Sequence, residues 1–330
     1  MFLNLINAGD LLDFYSSIKR KHLSLFKIFS RIFSSNKKRI QTAWSHIESP
    51  PTHWWDIPQI NERWNLLISG DYKTNYYDYF IKTYLSNKTK IVALSLGCGT
   101  GHRELRWASS GKFERIDAID LSSQRIDYAH QKSIDAGFSN IINFEVQDFL
   151  SLPETNTYDL ILCEQSLHHF YPMKNVVEKL FRLVKNEGLL LVNEYVGPNR
   201  FQWTSEQLYY TNKLLQEIPV KYRRFYKSGL IKKKVYKPGL LRMILSDYSE
   251  AVESENILPL LQKTFSELEL KAYGGTILHP LFNGIAHNFL TPDKEIDAVI
   301  KKCFRFEDNL MHSQIIKSDF IFAVYKKESQ

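Results

Sequence analysis

Three glycines at alternate positions, Gly97, Gly99 and Gly101, follow a short apolar run, and Asp120 comes nineteen residues after the last of them. Glycines in a tight turn let a ligand approach bare main chain. A carboxylate at this distance can accept hydrogen bonds from both hydroxyls of a ribose. The dinucleotide pattern Gly-x-Gly-x-x-Gly would need a sixth-position glycine, where this chain has His102. The spacing therefore predicts a nucleoside site and excludes the NAD fingerprint.

A second group of reactive side chains consists of the adjacent His168 and His169, together with Glu194. The ordinary pKa of histidine suits a general base near neutral pH. We expect one of the pair, with His168 favoured, to take a proton from a hydroxyl group of the substrate. Glu194 is an alternative base or a partner that orients the histidine. The competing interpretation is that the two histidines only shape the pocket.

Alternating apolar runs and amphipathic stretches place these residues in an α/β fold. Strands are predicted at 91–96, 115–120, 141–146, 158–163 and 189–194. Between them, helices are predicted at 122–136, with Ser122 as the N-cap, and at 175–184, with Gly188 near its end. This order indicates a doubly wound, mainly parallel sheet, in which ligands bind at the carboxyl ends of the strands.

Four segments then resemble the class I S-adenosylmethionine-dependent methyltransferases. They are the Leu-Ser-Leu-Gly-Cys-Gly-Thr-Gly segment at 94–101, the acid Asp120, Gln-Asp-Phe at 147–149, and Tyr-Asp-Leu-Ile-Leu-Cys at 158–163 followed by Ser-Leu-His-His-Phe at 166–170. The resemblance covers roughly residues 90–195, and strands expected at 268–273 and 320–326 extend it to the C-terminus as a reversed hairpin. It implies a seven-stranded Rossmann-like methyltransferase fold.

The resemblance also implies a role for each matching position. Gly97, Cys98, Gly99 and Gly101 would pass under the methionine portion of S-adenosylmethionine. Asp120 and Leu121 would hold the ribose, Asp148 would meet the adenine amino group, Phe149 would pack on the ring, and Cys163 would complete the site. One departure is Ser95, since the family usually has an acid two residues before the first glycine.

The acceptor is predicted to bind under an insertion at 196–264, which is too long for a plain connection. No acid interrupts 218–245, and lysines such as Lys233, Lys234 and Lys237 alternate there with tyrosines. Such a run could bind a phosphate or a sugar nucleotide, stack on single-stranded nucleic acid, or be a solvated charged face. Glu250 and His279 are interpreted as a surface acid and a histidine with satisfied hydrogen bonds, although both could reach the acceptor.

Fragments 193–203, 247–252 and 274–280 resemble a bacterial methyltransferase subgroup associated with glycan or small-molecule biosynthesis. The predicted acceptor is therefore a hydroxyl of a small molecule or glycan precursor. The alternatives are an RNA methyltransferase that uses the basic segments and a non-catalytic scaffold that binds the cofactor. No metal is predicted, because adjacent histidines point in different directions on regular elements.

The composition describes an ordinary globular chain of 330 residues with a net charge of +7. The first forty residues carry eight basic and two acidic side chains, so the remainder is nearly neutral. Residues 1–50 are predicted to form a basic amphipathic helical extension, which either packs on the protein or contacts an anionic membrane through residues 1–40. Residues 51–89 are expected to form a helical lid over the cofactor, and residues 90–330 the methyltransferase domain.

The three cysteines are widely spaced, and no apolar run is long enough to span a membrane, so we expect a cytoplasmic protein. The basic extension would also allow peripheral contact with the inner membrane surface. No secretory signal is expected at the start of the chain. The sequence does not determine the oligomeric state.

Overall fold

A computed structural model of the protein describes residues 53–154, 158–226, 228–240, 243–244 and 247–328. The predicted basic extension at 1–50 lies outside these residues. Among the described helices, none is long and apolar enough to span a bilayer.

Seven strands form a single sheet in the order β3-β2-β1-β4-β5-β7-β6. The strands are β1 (Ile91–Leu96), β2 (Phe113–Asp120), β3 (Ile142–Val146), β4 (Tyr158–Glu164), β5 (Val184–Tyr195), β6 (Ser266–Gly274) and β7 (Phe320–Lys326). All neighbours are parallel except β7, which runs antiparallel to both β5 and β6. The doubly wound, mainly parallel seven-stranded fold is thereby confirmed.

Nine α-helices flank or cap the sheet in the described part of the chain. They are α1 (Pro58–Ser69), α2 (Tyr76–Tyr84), α3 (His102–Ser109), α4 (Ser123–Asp135), α5 (Met173–Leu183), α6 (Ser205–Glu217), α7 (Ser254–Thr264), α8 (Leu278–Phe282) and α9 (Lys294–His312). The predicted N-cap of α4 is present, because the Ser122 side chain accepts a hydrogen bond from the backbone N–H of Arg125.

Two boundaries differ from the sequence prediction for identifiable reasons. The helical segment expected over residues 51–89 is broken at Gly70, whose φ of 83° ends α1 in the left-handed region. Gly188 does not end a helix, since α5 stops at Leu183 and the chain continues directly into β5. A Cβ at Gly188 would lie 2.7 Å from the Lys185 carbonyl oxygen, so the strand itself requires glycine there.

The core lies on both faces of the sheet. Successive residues of β1 and β4 belong to opposite faces: Ala93 and Leu160 pack on one, Leu94 and Ile161 on the other. This double burial explains why the central strands are continuously apolar. The helices cover the two faces, and the carboxyl ends of β1, β2 and β4 lead into turns that form one edge of the sheet.

The cap over that edge has two parts. The first follows β5 and includes α6, whereas α7, at the end of the predicted insertion, packs against α5 as an ordinary layer of the sheet. The second part lies between β6 and β7, where α8 packs against α6 and α9. This second part was not predicted from the sequence, because its helices lie outside the long insertion at 196–264.

Candidate functional site

The turn after β1 is shaped by backbone hydrogen bonds to Asp120, at the end of β2. The Gly99 N–H donates to Asp120 Oδ2 at 3.0 Å, and the Ser122 N–H donates to Asp120 Oδ1 at 2.8 Å. Each carboxylate oxygen has two lone pairs, so both retain capacity for a ligand hydroxyl. Asp120 therefore stabilises the glycine turn and also presents its carboxylate beside it.

Two of the glycines are required by close approach as well as by positive φ. A Cβ on Gly97 (φ 64°) would lie 2.8 Å from the Ser166 Cβ, so the turn touches the segment that follows β4. A Cβ on Gly101 (φ 75°) would lie 2.6 Å from the Phe144 ring and 2.8 Å from the Ala129 Cβ. Gly97 thus brings two loops together, whereas Gly101 packs helix α3 against the neighbouring layer.

A cavity of 1680 Å³ opens above this edge of the sheet. Its wall contains most of the predicted cofactor residues: Gly97, Cys98, Gly99, Asp120, Leu121, Asp148 and Phe149. Two others lie outside the wall: Gly101 is the N-cap of α3, and Cys163 is fully buried in the core with α5. Of the expected lid over residues 51–89, the cavity wall includes only His53, Trp54 and Trp55 among the described positions.

The departure at Ser95 is accompanied by a buried acid from another element. Ser95 Oγ donates a hydrogen bond of 2.6 Å to Glu104 Oε1, and Glu104 lies in the first turn of α3. Burial raises the pKa of Glu104 to about 7, although the bond from Ser95 opposes the shift. The chain thus places a carboxylate beside the glycine turn from a position nine residues later than Ser95. In the sequence, the only sign of this contact was an acidic residue, Glu104, in the first turn of a predicted helix.

His168 and His169 lie in a short 3-10 turn, Leu167–His169, immediately after β4. His168 Nδ1 hydrogen-bonds to Glu194 Oε1, and the Glu194 carboxylate also accepts the N–H groups of Ser166 (2.7 Å), Leu167 (2.6 Å) and Tyr195 (2.7 Å). Glu194 is completely buried and is absent from the cavity wall. It therefore orients His168 and is not placed to meet an acceptor.

The opposite nitrogen of His168 faces Glu250. The distance from His168 Nε2 to Glu250 Oε1 is 3.6 Å, and the Glu250 side chain is only 21% exposed. The interpretation of Glu250 as a surface acid is therefore wrong. Burial raises the pKa of Glu250 to about 7, opposed by the charge of His168. Burial lowers the pKa of His168, but the charge and hydrogen bond of Glu194, with Glu250 and Asp247, raise it to about 9.

His169 differs from its neighbour in charge state. Burial and the charge of His168 hold its pKa well below the usual range, so the imidazole is neutral. Its Nδ1 lies 3.4 Å from Ser249 Oγ, which itself donates to Asp247 Oδ1 at 2.7 Å. The two histidine rings are tilted, with centroids 4.1 Å apart.

The premise that adjacent histidines diverge is wrong here, because the 3-10 turn keeps both rings on one side. One ligand atom from each of His168, His169 and Glu250 lies within 4.8 Å of the others. These three side chains are close enough to hold a divalent ion. The donor set of two imidazoles and a carboxylate suits a transition metal.

An aromatic wall completes the cavity on the side of the cap. The His279 ring is surrounded by Trp54, Phe201, Trp203 and Phe320, with centroid distances of 5.3–5.7 Å. Burial, with the positive charge of Lys232 nearby, lowers the pKa of His279 to about 3, so the ring is neutral. Its Nδ1 is buried with no hydrogen-bond partner among the described residues, which contradicts the expectation of a satisfied histidine.

The geometry fits a nucleoside cofactor on one side and an acceptor on the other. Bare main chain at Gly97 and Gly99, the Asp120 carboxylate, and Asp148 with Phe149 follow one another along the carboxyl ends of β1, β2 and β3. His168, His169 and Glu250 lie beyond the glycine turn and face the aromatic wall. Contact between Gly97 and Ser166 makes the two sites adjacent.

Comparison with known proteins identifies the domain. A family model described as "Methyltransferase domain" matches residues 87–264, more than half of the chain. The malonyl-[acyl-carrier protein] O-methyltransferase of Priestia megaterium is 30% identical over 113 residues, which are 34% of this chain and 39% of that protein. The ubiquinone biosynthesis O-methyltransferase of Paraburkholderia xenovorans is 31% identical over 105 residues, 32% of this chain and 43% of that protein. The chain thus spans about two fifths of the length of these relatives.

Among solved structures, geranyl diphosphate C-methyltransferase from Streptomyces coelicolor A3(2) has a similar fold. The TM-score is 0.52 with 10% sequence identity, over 89% of this chain and 98% of that one. At this identity the likeness concerns the fold alone. Together, the family match, the sheet order and the glycine turn with Asp120 show that the chain belongs to the class I S-adenosylmethionine-dependent methyltransferases.

Proposed function

We propose that this protein transfers a methyl group from S-adenosylmethionine to a hydroxyl of a small molecule or glycan precursor. The observation that carries the proposal is the line Glu194, His168, Glu250 beside the glycine turn. A hydroxyl acceptor must lose a proton as the new bond forms, and these residues supply an oriented proton acceptor. A cytoplasmic location agrees with three buried cysteines that form no disulfide.

The proposed cofactor site uses the residues that line the cavity near β1, β2 and β3. Gly97 and Gly99 would lie against the methionine portion, Asp120 would hold the ribose hydroxyls, and Asp148 with Phe149 would hold the adenine. When bound there, S-adenosylmethionine supplies an electrophilic methyl carbon on a sulfonium whose departure leaves a neutral thioether. The protein then needs mainly to align the acceptor oxygen with that carbon and to exclude water.

The proton acceptor in this proposal is the pair His168–Glu250. Because its pKa is raised to about 9, His168 carries a proton near neutral pH, while Glu250 with a pKa of about 7 is the group that changes charge. Between about pH 7 and 9 the pair therefore holds one proton, and it gains a second when the hydroxyl loses its own.

Two further residues, Glu194 and His169, have supporting roles. Glu194 is a positioning residue, because its oxygens already accept three backbone N–H bonds and the His168 bond. His169 remains neutral and lines the acceptor position. The neutral aromatic wall around His279 would accommodate the apolar face of the acceptor.

A labelled-methyl transfer assay tests the proposal directly. The purified protein is incubated with methyl-labelled S-adenosylmethionine and a panel of sugar nucleotides and small hydroxylated metabolites, each paired with an analogue in which an amine replaces the hydroxyl. The proposal expects a methyl ether as the product. Labelling restricted to amines or carboxylates would refute it.

The proposed chemistry needs no metal ion, although His168, His169 and Glu250 could hold one. Turnover should remain unchanged after treatment with a strong chelator and gel filtration. Loss of turnover that is restored by a divalent ion would replace the proton-acceptor role with metal activation of the hydroxyl.

A further inference from the structure

A second cavity of 790 Å³ lies between helix α6 and the segment 233–237. Its wall contains four lysines and two tyrosines: Lys213, Lys233, Lys234, Lys237, Tyr209 and Tyr236. None of its lining residues is an Asp or a Glu. We call this cavity the lysine groove.

The backbone of the segment 233–237 is held in place by side chains of α6. Asn212 forms two hydrogen bonds with Val235: its Oδ1 accepts from the Val235 N–H at 2.7 Å, and its Nδ2 donates to the Val235 carbonyl at 3.0 Å. Gln216 Nε2 donates to the Lys233 carbonyl at 2.9 Å. The lysines of this segment are therefore presented by an anchored chain.

The same segment separates the groove from the main cavity. Lys233, Lys234 and Lys237 line both cavities. A ligand bound in the lysine groove would therefore lie against the wall of the space that contains His168 and Glu250. An extended acceptor could occupy both.

Within the described ranges, no carboxylate forms an ion pair with three of the four groove lysines, Lys213, Lys233 and Lys234. Glu217, the acid at the end of α6, instead pairs with Lys302 at 2.7 Å. A cleft lined by a single sign of charge attracts ligands of the opposite sign. Lysine ammonium groups bind phosphate oxygens as point charges.

We propose that the lysine groove binds a phosphate group of the acceptor. This inference rests on the proposed function and names its substrate class: a small hydroxylated molecule that carries a phosphate ester. The phosphate lies on the lysines while the hydroxyl to be methylated reaches His168 and Glu250. The Lys234 ammonium lies over the Tyr236 ring, 5.4 Å from its centre, at the wall of the groove.

Inorganic pyrophosphate is the probe for this site. Calorimetric titration at low salt uses the full chain saturated with S-adenosylhomocysteine, so that the cofactor site is filled. We compare the wild type with Lys233→Gln/Lys234→Gln and with Lys213→Gln. The matched control is Lys82→Gln/Lys132→Gln, which removes two exposed helical lysines, on α2 and α4, that line neither cavity.

The proposal expects the Lys233→Gln/Lys234→Gln variant to weaken pyrophosphate binding by at least about tenfold, because charge-assisted hydrogen bonds are lost. Lys213→Gln should weaken it less, and the control should remain within about twofold of the wild type. Absence of binding, or equal losses in the groove and control variants, would overturn the proposal. Unchanged thermal unfolding of the variants verifies that they are folded.

A single-stranded RNA oligomer serves as a competing probe. Tight RNA binding with a steep salt dependence that the groove variant loses, combined with no pyrophosphate binding, would overturn the small-molecule assignment in favour of RNA. Because binding is measured without methyl transfer, failure of the proposed function can be distinguished from failure of the phosphate site. If only the proposed function fails, the groove variants still bind pyrophosphate more weakly than the wild type, although no hydroxyl is methylated.

Discussion

The glycine turn after β1 and the histidine turn after β4 touch at Gly97 and Ser166, yet they are assembled differently. The glycine turn is stabilised through its backbone: the N–H groups of Gly99 and Ser122 donate to Asp120, at the end of β2. The histidine turn is stabilised through its side chain: His168 contacts Glu194, on β5, and Glu250, in the segment that follows β5. We therefore expect mutations to separate binding of the cofactor from the chemistry of the acceptor.

The largest expected effect is on turnover in the His168→Ala variant. Removing His168 breaks the His168–Glu250 pair that accepts the proton, which should lower kcat by about 100-fold or more, the usual contribution of general acid–base catalysis. Affinity for S-adenosylhomocysteine should stay within about twofold of the wild type, because the ring lies beyond the glycine turn. The measurements are initial rates and calorimetry.

The matched control for this variant is His130→Ala, which removes an exposed histidine of α4. It should leave both quantities unchanged. Near-normal turnover by His168→Ala would show that the histidine turn only shapes the pocket, and the contrast between the two turns would be lost.

Next in size is the stability cost of Gly101→Ala. The added methyl group would meet the Phe144 ring at 2.6 Å and would sit on a backbone with φ of 75°. We expect the free energy of unfolding to fall by about 2–4 kcal/mol, from overpacking and backbone strain together. Chemical denaturation measures this quantity.

Gly111→Ala separates the two causes. Gly111 has a φ of 68° but nothing within 4 Å of its added Cβ. It should therefore cost only the backbone strain, about 1 kcal/mol. Equal losses in the two variants would mean that packing behind the glycine turn does not require Gly101.

A smaller effect is expected from pH. Below pH 7, Glu250 becomes protonated, the His168–Glu250 pair holds two protons, and it cannot accept another. The value of kcat should therefore fall by about tenfold per pH unit below about 7 and level off above it. The Glu250→Gln variant should lose this inflection.

A profile that instead rises through about pH 9 would assign the change in charge to His168 alone, whose pKa is raised to that value. A profile without any inflection between these values would contradict the pair as proton acceptor. The Kd for S-adenosylhomocysteine, measured over the same pH range, controls for effects of pH on the glycine turn.

The position of the residues that we propose for the cofactor was largely predictable from sequence. The glycines, Asp120 and Asp148 each lie at the end of a strand whose apolar run is visible in the chain, and parallel strands bring their carboxyl ends to one edge. Cys163 was expected at the cofactor, but its side chain points into the core and does not reach the cavity wall. Glu104 was missed because its partnership with Ser95 crosses from a helix to a strand.

The acceptor side was less predictable, because its residues meet only through tertiary folding. Nothing in the local pattern around Glu250 places it 3.6 Å from His168 Nε2. The same holds for His279 in its ring of aromatic side chains, which come from Trp54, Phe201, Trp203 and Phe320. The pairing of the two histidine rings depended on a 3-10 turn that sequence periodicity did not indicate.

The central claim is that the glycine turn and Asp120 bind S-adenosylmethionine independently of the histidine turn. The most direct measurement is calorimetric titration of the wild type, Asp120→Ala and His168→Ala with S-adenosylhomocysteine. The account predicts a Kd of about a micromolar for the wild type and for His168→Ala. It predicts that Asp120→Ala weakens binding by at least about 100-fold, since two hydrogen bonds to a carboxylate are lost. Absence of binding by the folded wild type, or equal binding by Asp120→Ala, would contradict it.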